Sequence, residues 1–95
     1  MKATWRGKVI AESERTAEVH GYLYFPREAV RMELLKQAPK NASDLECPHG
    51  VQFYDVVDET AHSERAAWSY EAPSTGSMQK IDHWIGFWND VEVVD

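Results

Sequence analysis

The sequence predicts a mainly β domain, built as two packed antiparallel sheets or a small open barrel with one or two short helical turns. Three observations carry this expectation. Short runs of β-branched and aromatic residues recur along the 95 residues, broken by Gly, Pro, Asn and Asp. No stretch holds a 3.6-residue apolar period long enough for a core helix. Without long helices there are no crossovers for parallel strands, so the strands must pair antiparallel. A chain of this length buries only about 60–65% of the surface its unfolded form exposes, so residues 1–95 are read as a single domain.

Thr4-Trp5 and Lys8-Val9-Ile10-Ala11 flank Arg6-Gly7, which reads as a tight hairpin turn. Thr16-Ala17-Glu18-Val19 is a further short segment. Tyr22-Leu23-Tyr24-Phe25 follows Gly21 and is stopped by Pro26, which is suited to open a helical turn over 26–30. Met32, Leu34 and Leu35 either extend that turn or return to a strand. Lys36 to Glu46 has no hydrophobic repeat and carries Pro39, Asn41, Ser43 and Asp44, so it reads as a loop long enough to serve as a lid.

Val51 to Val57 is the clearest strand, with Val51, Phe53 and Val57 on one face and Gln52, Tyr54 and Val56 on the other. Both faces are therefore expected to meet apolar neighbours. After a turn near Asp58-Glu59, Ala66-Ala67-Trp68-Ser69-Tyr70 forms a strand that puts Trp68 and Tyr70 on one face. Pro73-Ser74-Thr75-Gly76 breaks the chain, and a helical turn is expected over 77–81. Trp84 to Trp88, a turn at Asn89-Asp90 and Val91 to Val94 complete seven or eight strands.

A formal charge of −6, with basic residues scattered singly, argues against nucleic acid or an anionic membrane as partner. No apolar run approaches the ~20 residues of a membrane span. One cysteine forms no internal disulfide, and no apolar signal core follows Met1, so a reducing cytoplasm is the expected location.

Four features occur in one order along the chain: Tyr24-Phe25-Pro26 with Glu28 and Val30; Cys47-Pro48 with Gly50; Ala66-Ala67-Trp68-Ser69-Tyr70; and Gly86-Phe87-Trp88 with Val91-Glu92-Val93. In these the chain resembles the small bacterial proteins grouped as domain of unknown function four-hundred-twenty-seven, also labelled nucleotidyltransferase-like. The resemblance covers nearly the whole chain and implies a β-tent, in which two antiparallel sheets meet at an angle. Such relatives often hold zinc with paired cysteines. Here the lone Cys47 excludes a four-thiolate site, and neither metal nor cofactor is expected. The family's turn usually reads Cys-Pro, an aromatic, Lys, Gly, whereas Cys47-Pro48-His49-Gly50 is one residue shorter and lacks the lysine. No Gly-Ser pair followed by paired aspartates is present to hold magnesium and phosphates, so the residues do not support the nucleotidyltransferase label.

Trp68, Tyr70, Trp84 and Trp88, with Tyr24, are candidate walls of a ligand cleft, since aromatic rings suit flat or cationic ligands. The simpler account makes them core, and Tyr22 and Tyr54 are weaker wall candidates. Arg31 would either grip a carboxylate or phosphate in the cleft or pair with Glu28 at the surface. Cys47 with His49 as base is the candidate nucleophile, weighed against a structural thiol in a Pro-Gly turn. His20, His62 and His83 show no ligand spacing, and Asp55, Asp58 and Glu59 read as a solvated turn. The expected function is binding of a small molecule or partner segment in an aromatic cleft between the sheets, with the Cys47 to Gly50 turn at its rim, in a monomer or homodimer. The competing readings are an enzyme using Cys47 and a protein-interaction module.

Overall fold

The structure, a computed structural model, describes residues 1–46, 50–71 and 79–95. Strands β1 (Lys2–Trp5) and β2 (Lys8–Glu12) are joined by Arg6 and Gly7, both at positive φ (53° and 80°). That is the twist a two-residue hairpin needs, and glycine supplies half of it without strain. Strands β3 (Ala17–Val19) and β4 (Tyr22–Phe25) are joined the same way through His20 and Gly21, at φ 53° and 86°. Pro26 ends β4 and leads into a 3-10 turn, Arg27–Ala29; a second 3-10 turn, Met32–Leu34, leads into β5 (Leu35–Gln37). Helix α1 (Ala42–Glu46), β6 (Val51–Val57), β7 (His62–Tyr70), β8 (Ile85–Phe87) and β9 (Val91–Val94) follow.

The strands form two antiparallel sheets, of order β2-β1-β9 and β3-β4-β8-β7-β6-β5, so the mainly β expectation holds. Nine strands are found among the described residues: Leu35 returns to a strand, one of the two expected alternatives, and β5 runs on through Lys36 and Gln37 of the segment expected to be a loop. Lys36 and Gln37 pair with Asp55 and Tyr54 of β6, and Ala42–Glu46 is helical, so 36–46 is not an open lid. The helix is closed at its start by a reciprocal pair of bonds. The Asp44 amide donates to Asn41 Oδ1 at 2.9 Å, and the Asn41 amide donates to Asp44 Oδ2 at 3.1 Å. The break at 73–76 and the first two residues of the helical turn expected over 77–81 lie outside the described residues; Gln79 is helical and Lys80 to His83 are a turn, with the Asp82 amide donating to the Gln79 carbonyl.

Two apolar clusters result, one on each face of the large sheet. The first lies between the sheets: Ala3, Trp5, Ile10 and Val91 from the small sheet meet Phe25, Tyr54, Val56, Ala67 and Phe87 from the large one. Trp5 and Phe25 are wholly buried there, and truncating either to Ala should cost about 3–5 kcal/mol. The second cluster takes nothing from the small sheet. It joins Val19, Tyr24, Val51, Trp68 and Ile81, with Ala17, Phe53, Tyr70 and Trp84 packed against it, and covers the sheet's outer face. The two-sided apolar pattern of β6 is explained by this, Tyr54 and Val56 facing inward and Val51 and Phe53 outward.

An irregularity in the β6–β7 pairing positions the outer face. Tyr54 pairs with Ala67, but Val56 pairs with Ser63, so three residues of β7 bulge opposite Asp55. Arg65 sits at the bulge with φ 53°, and its amide donates to Asp55 Oδ1 at 3.0 Å. Asp55 also meets His62 Nε2 at 2.9 Å. It is therefore a structural clasp and not part of a solvated turn, whereas Asp58 does cap the β6–β7 turn through the amides of Thr60 and Ala61.

Candidate functional site

The outer face of the six-stranded sheet carries an open cleft of about 220 Å³, lined by His20, Tyr22, Tyr24, Phe53, Trp68, Tyr70 and Trp88. Its floor is Trp68, which is 5% exposed, while Tyr22 at 43% and Trp88 at 38% are its open walls. Strand alternation brings these rings together. Tyr22 and Tyr24 are two apart on β4, Trp68 and Tyr70 two apart on β7, and Phe53 lies directly opposite Trp68 in the pairing register. Gly86 of β8, opposite both Tyr24 and Trp68, makes room for the floor. A Cβ at Gly86 would stand 2.8 Å from the Trp68 ring and 3.0 Å from that of Tyr24.

Three of the ring pairs meet edge to face, and the Tyr24–Tyr70, Phe53–Trp68 and Phe53–Trp88 pairs are tilted at 43°, 43° and 34°. Tyr22, Tyr24 and Trp88 stand at 87°, 89° and 70° to Trp68, with centroids 5.0, 5.9 and 5.5 Å away. Such contacts place the positive edge of one ring against the negative face of the next. Polar tips fix the frame. Trp68 Nε1 donates to Tyr24 Oη at 3.2 Å, and Trp88 Nε1 donates to the Arg65 carbonyl. Burial pushes the Tyr24 phenol up to about 12, against the opposing effect of the Trp68 bond, so it keeps its proton and is no base at neutral pH.

The bulge supplies a backing to the walls. The Arg65 guanidinium carbon lies 4.0 Å from the Phe53 ring centroid, and Arg65 Nη2 donates to Asp44 Oδ1 at 2.7 Å. Asp44, 4% exposed on α1, is held below the usual carboxylate range chiefly by this bond. A buried carboxylate thus pins the arginine that touches one wall and accepts from another.

The predicted site residues fare differently. Tyr24, Trp68, Tyr70 and Trp88 are brought together in the cleft. Trp84 packs, half-buried, against the outer cluster and does not line it. Arg31 points away, its Nε 3.1 Å from Glu33 Oε2 with both side chains more than half exposed. Its expected pairing with Glu28 fails because the turn is a 3-10 helix that gives way to extended backbone at Val30, φ −108°, and Glu28 instead lies 3.5 Å from Arg15. Arg27 is the inward arginine, donating to the His83 carbonyl, Ser69 and Glu71 at 2.9, 3.1 and 3.2 Å. Cys47 and His49, and with them the turn expected at the rim, lie outside the described residues.

The cleft is not between the sheets, as the sequence reading placed it. The intersheet space is filled by the first cluster, and the aromatic rings occupy the opposite face. Sequence reasoning passed over His20 and Phe53 and ranked Tyr22 low; the Phe53–Trp68 pairing depends on register, which the sequence does not display. Among the described residues no group of three His, Cys, Asp or Glu side chains converges to hold a metal ion, and no helix is long and apolar enough to cross a membrane.

The family model described as Domain of unknown function (DUF427) matches residues 1–95. The chain belongs to that family. No curated protein matches it. As a DUF427 domain the chain joins a β architecture of two antiparallel sheets to an aromatic cluster on the outer face of the larger one.

Proposed function

We propose that this DUF427 domain is a binding module that takes the flat or compact apolar part of a small molecule into the outer-face cleft. The carrying observation is the cleft itself, an open aromatic concavity whose floor and walls are fixed in place by the Trp68–Tyr24 and Trp88–Arg65 bonds. Its 220 Å³ falls below the roughly 300–1,000 Å³ of sites for drug-sized ligands, which fits a headgroup or single ring and not an extended molecule. The described lining holds no carboxylate, thiol, lysine or arginine, its buried Tyr24 phenol keeps its proton, and its one imidazole, His20, stands exposed in the β3–β4 turn with no carboxylate among the described lining residues to orient it, which favours binding over acid–base or nucleophilic chemistry.

A thermal-shift panel of amines, aromatic alcohols, carboxylates and nucleotides, read together with Trp fluorescence, tests the proposal. A ligand of this cleft raises the melting temperature in proportion to log concentration and alters Trp emission. Trp88→Ala removes that response while leaving the fold intact, since Trp88 is a partly exposed wall. A shift that survives Trp88→Ala unchanged would place binding elsewhere.

A further inference from the structure

The arrangement of the rings says which ligand chemistry the cleft favours. We infer that it selects an organic cation, a tertiary or quaternary alkylammonium headgroup, over neutral groups of the same shape; this rests on the cleft being a binding site. Three observations converge. First, Tyr22, Tyr24 and Trp88 stand at 87°, 89° and 70° to the Trp68 floor and line the same cleft, so that one volume is bordered by several π systems. Ring faces carry negative potential, and a desolvated cation enclosed by several of them is attracted to each.

Second, among the described lining residues there is no lysine or arginine that would repel such a headgroup or hold a phosphate or carboxylate. The formal charge of −6 adds a long-range field that gathers cations and disfavours anions. An alkylammonium is also weakly hydrated compared with a primary ammonium, and an apolar cleft of headgroup size accepts it without an ion-pair partner.

Third, the same chemistry is already present at the cleft's margin, where the Arg65 guanidinium lies 4.0 Å from the centroid of Phe53. Arg65 is not part of the described lining, so Phe53 is engaged by an internal cation while the partly exposed walls Tyr22 and Trp88 remain for an external one. Trp88 and Tyr22 are accordingly the selecting rings, seated on the buried Trp68.

The test compares two molecules of one shape. Choline and 3,3-dimethylbutan-1-ol differ by a quaternary nitrogen in place of a quaternary carbon, and benzyl alcohol serves as a neutral flat ring. Binding of each to the intact chain at constant ionic strength is followed by Trp fluorescence and by one-dimensional ligand-observed NMR. The expected result is choline tighter than its neutral isostere by roughly tenfold, with Tyr22→Leu, which keeps an apolar wall but removes a π face, narrowing that ratio. Equal affinity for the pair overturns the cation preference and leaves the cleft as a simple apolar site. Benzyl alcohol binding where choline does not has the same meaning. Binding by none of the three overturns both the preference and the cleft reading.

Discussion

A methyl group added at Gly86 would sit 2.8 Å from Trp68, inside any real carbon contact, and neither the buried indole nor the strand beneath it has room to yield. Gly86→Ala should therefore destabilise the protein by about 1–3 kcal/mol and shift Trp emission, as overpacking does; an unchanged melting temperature would show that Trp68 is not seated on this glycine. Asp44 is the second residue with large leverage. Removing it by Asp44→Ala leaves Arg65 without its partner beside Phe53 and should cost about 1–3 kcal/mol, moderated because Arg65 keeps 30% of its side chain exposed. Three aspartates also make stability depend on pH. Asp44 is lowered chiefly by Arg65, Asp58 is lowered to about 2 chiefly by the Thr60 amide, and Asp55, pushed up by burial, is brought lower overall by the Arg65 amide and His62. Groups depressed in the folded state bind protons more readily when unfolded, so their contribution is complete above the ordinary carboxylate range near ~4 and lost as pH falls through the folded values. Melting temperature should thus decline below about pH 4, less steeply in Asp44→Asn, and a rise on acidification would contradict the assignment.

Turn chemistry made most elements legible. Arg6-Gly7, Pro26 and Asn89-Asp90 mark where chains reverse or strands stop, and each does so in the structure. One element was only half legible and another escaped, for different reasons. β5 is a short edge strand with Lys36 and Gln37 exposed, joined to β6 through its backbone, so no apolar pattern announces it. α1 is too short for periodicity, yet Asn41 and Asp44 stand at capping-box spacing, a signal present in the sequence and explained by the two reciprocal bonds. Asn41→Ala should cost about 1 kcal/mol and raise amide exchange at 42–46 selectively. Uniform protection in the variant would mean that α1 is held by packing and not by its cap. The β7 bulge was invisible beforehand, because Asp55 and Arg65 declare their pairing only once the register is known.

At the scale of the whole molecule, the large sheet is covered by apolar side chains on both faces but by a second sheet on only one. The aromatic residues named the site; alternation alone did not say which face would be occupied by β1, β2 and β9. Tyr22 was ranked a weaker wall, yet it stands on the outer face, where the cleft lies. The sheets are tied independently of it. Trp5 Nε1 donates to Ser63 Oγ at 2.9 Å, and that hydroxyl donates to Asp90 Oδ2 at 2.8 Å, linking β1, β7 and the turn before β9. Ser63→Ala orphans a buried indole N–H and should cost about 1–3 kcal/mol without altering ligand response, a separation that thermal melts and titrations would show.

The four tryptophans occupy distinct places, and that permits a direct test of the cleft. Trp5 lies between the sheets, Trp84 behind the outer cluster, and Trp68 and Trp88 in the cleft. In ¹⁵N-labelled protein their indole N–H resonances would be followed while choline and, separately, benzyl alcohol are added. The structure predicts saturable shifts at Trp68 and Trp88 with Trp5 unmoved. Shifts confined to Trp5 or Trp84, or none at either cleft tryptophan, would contradict it.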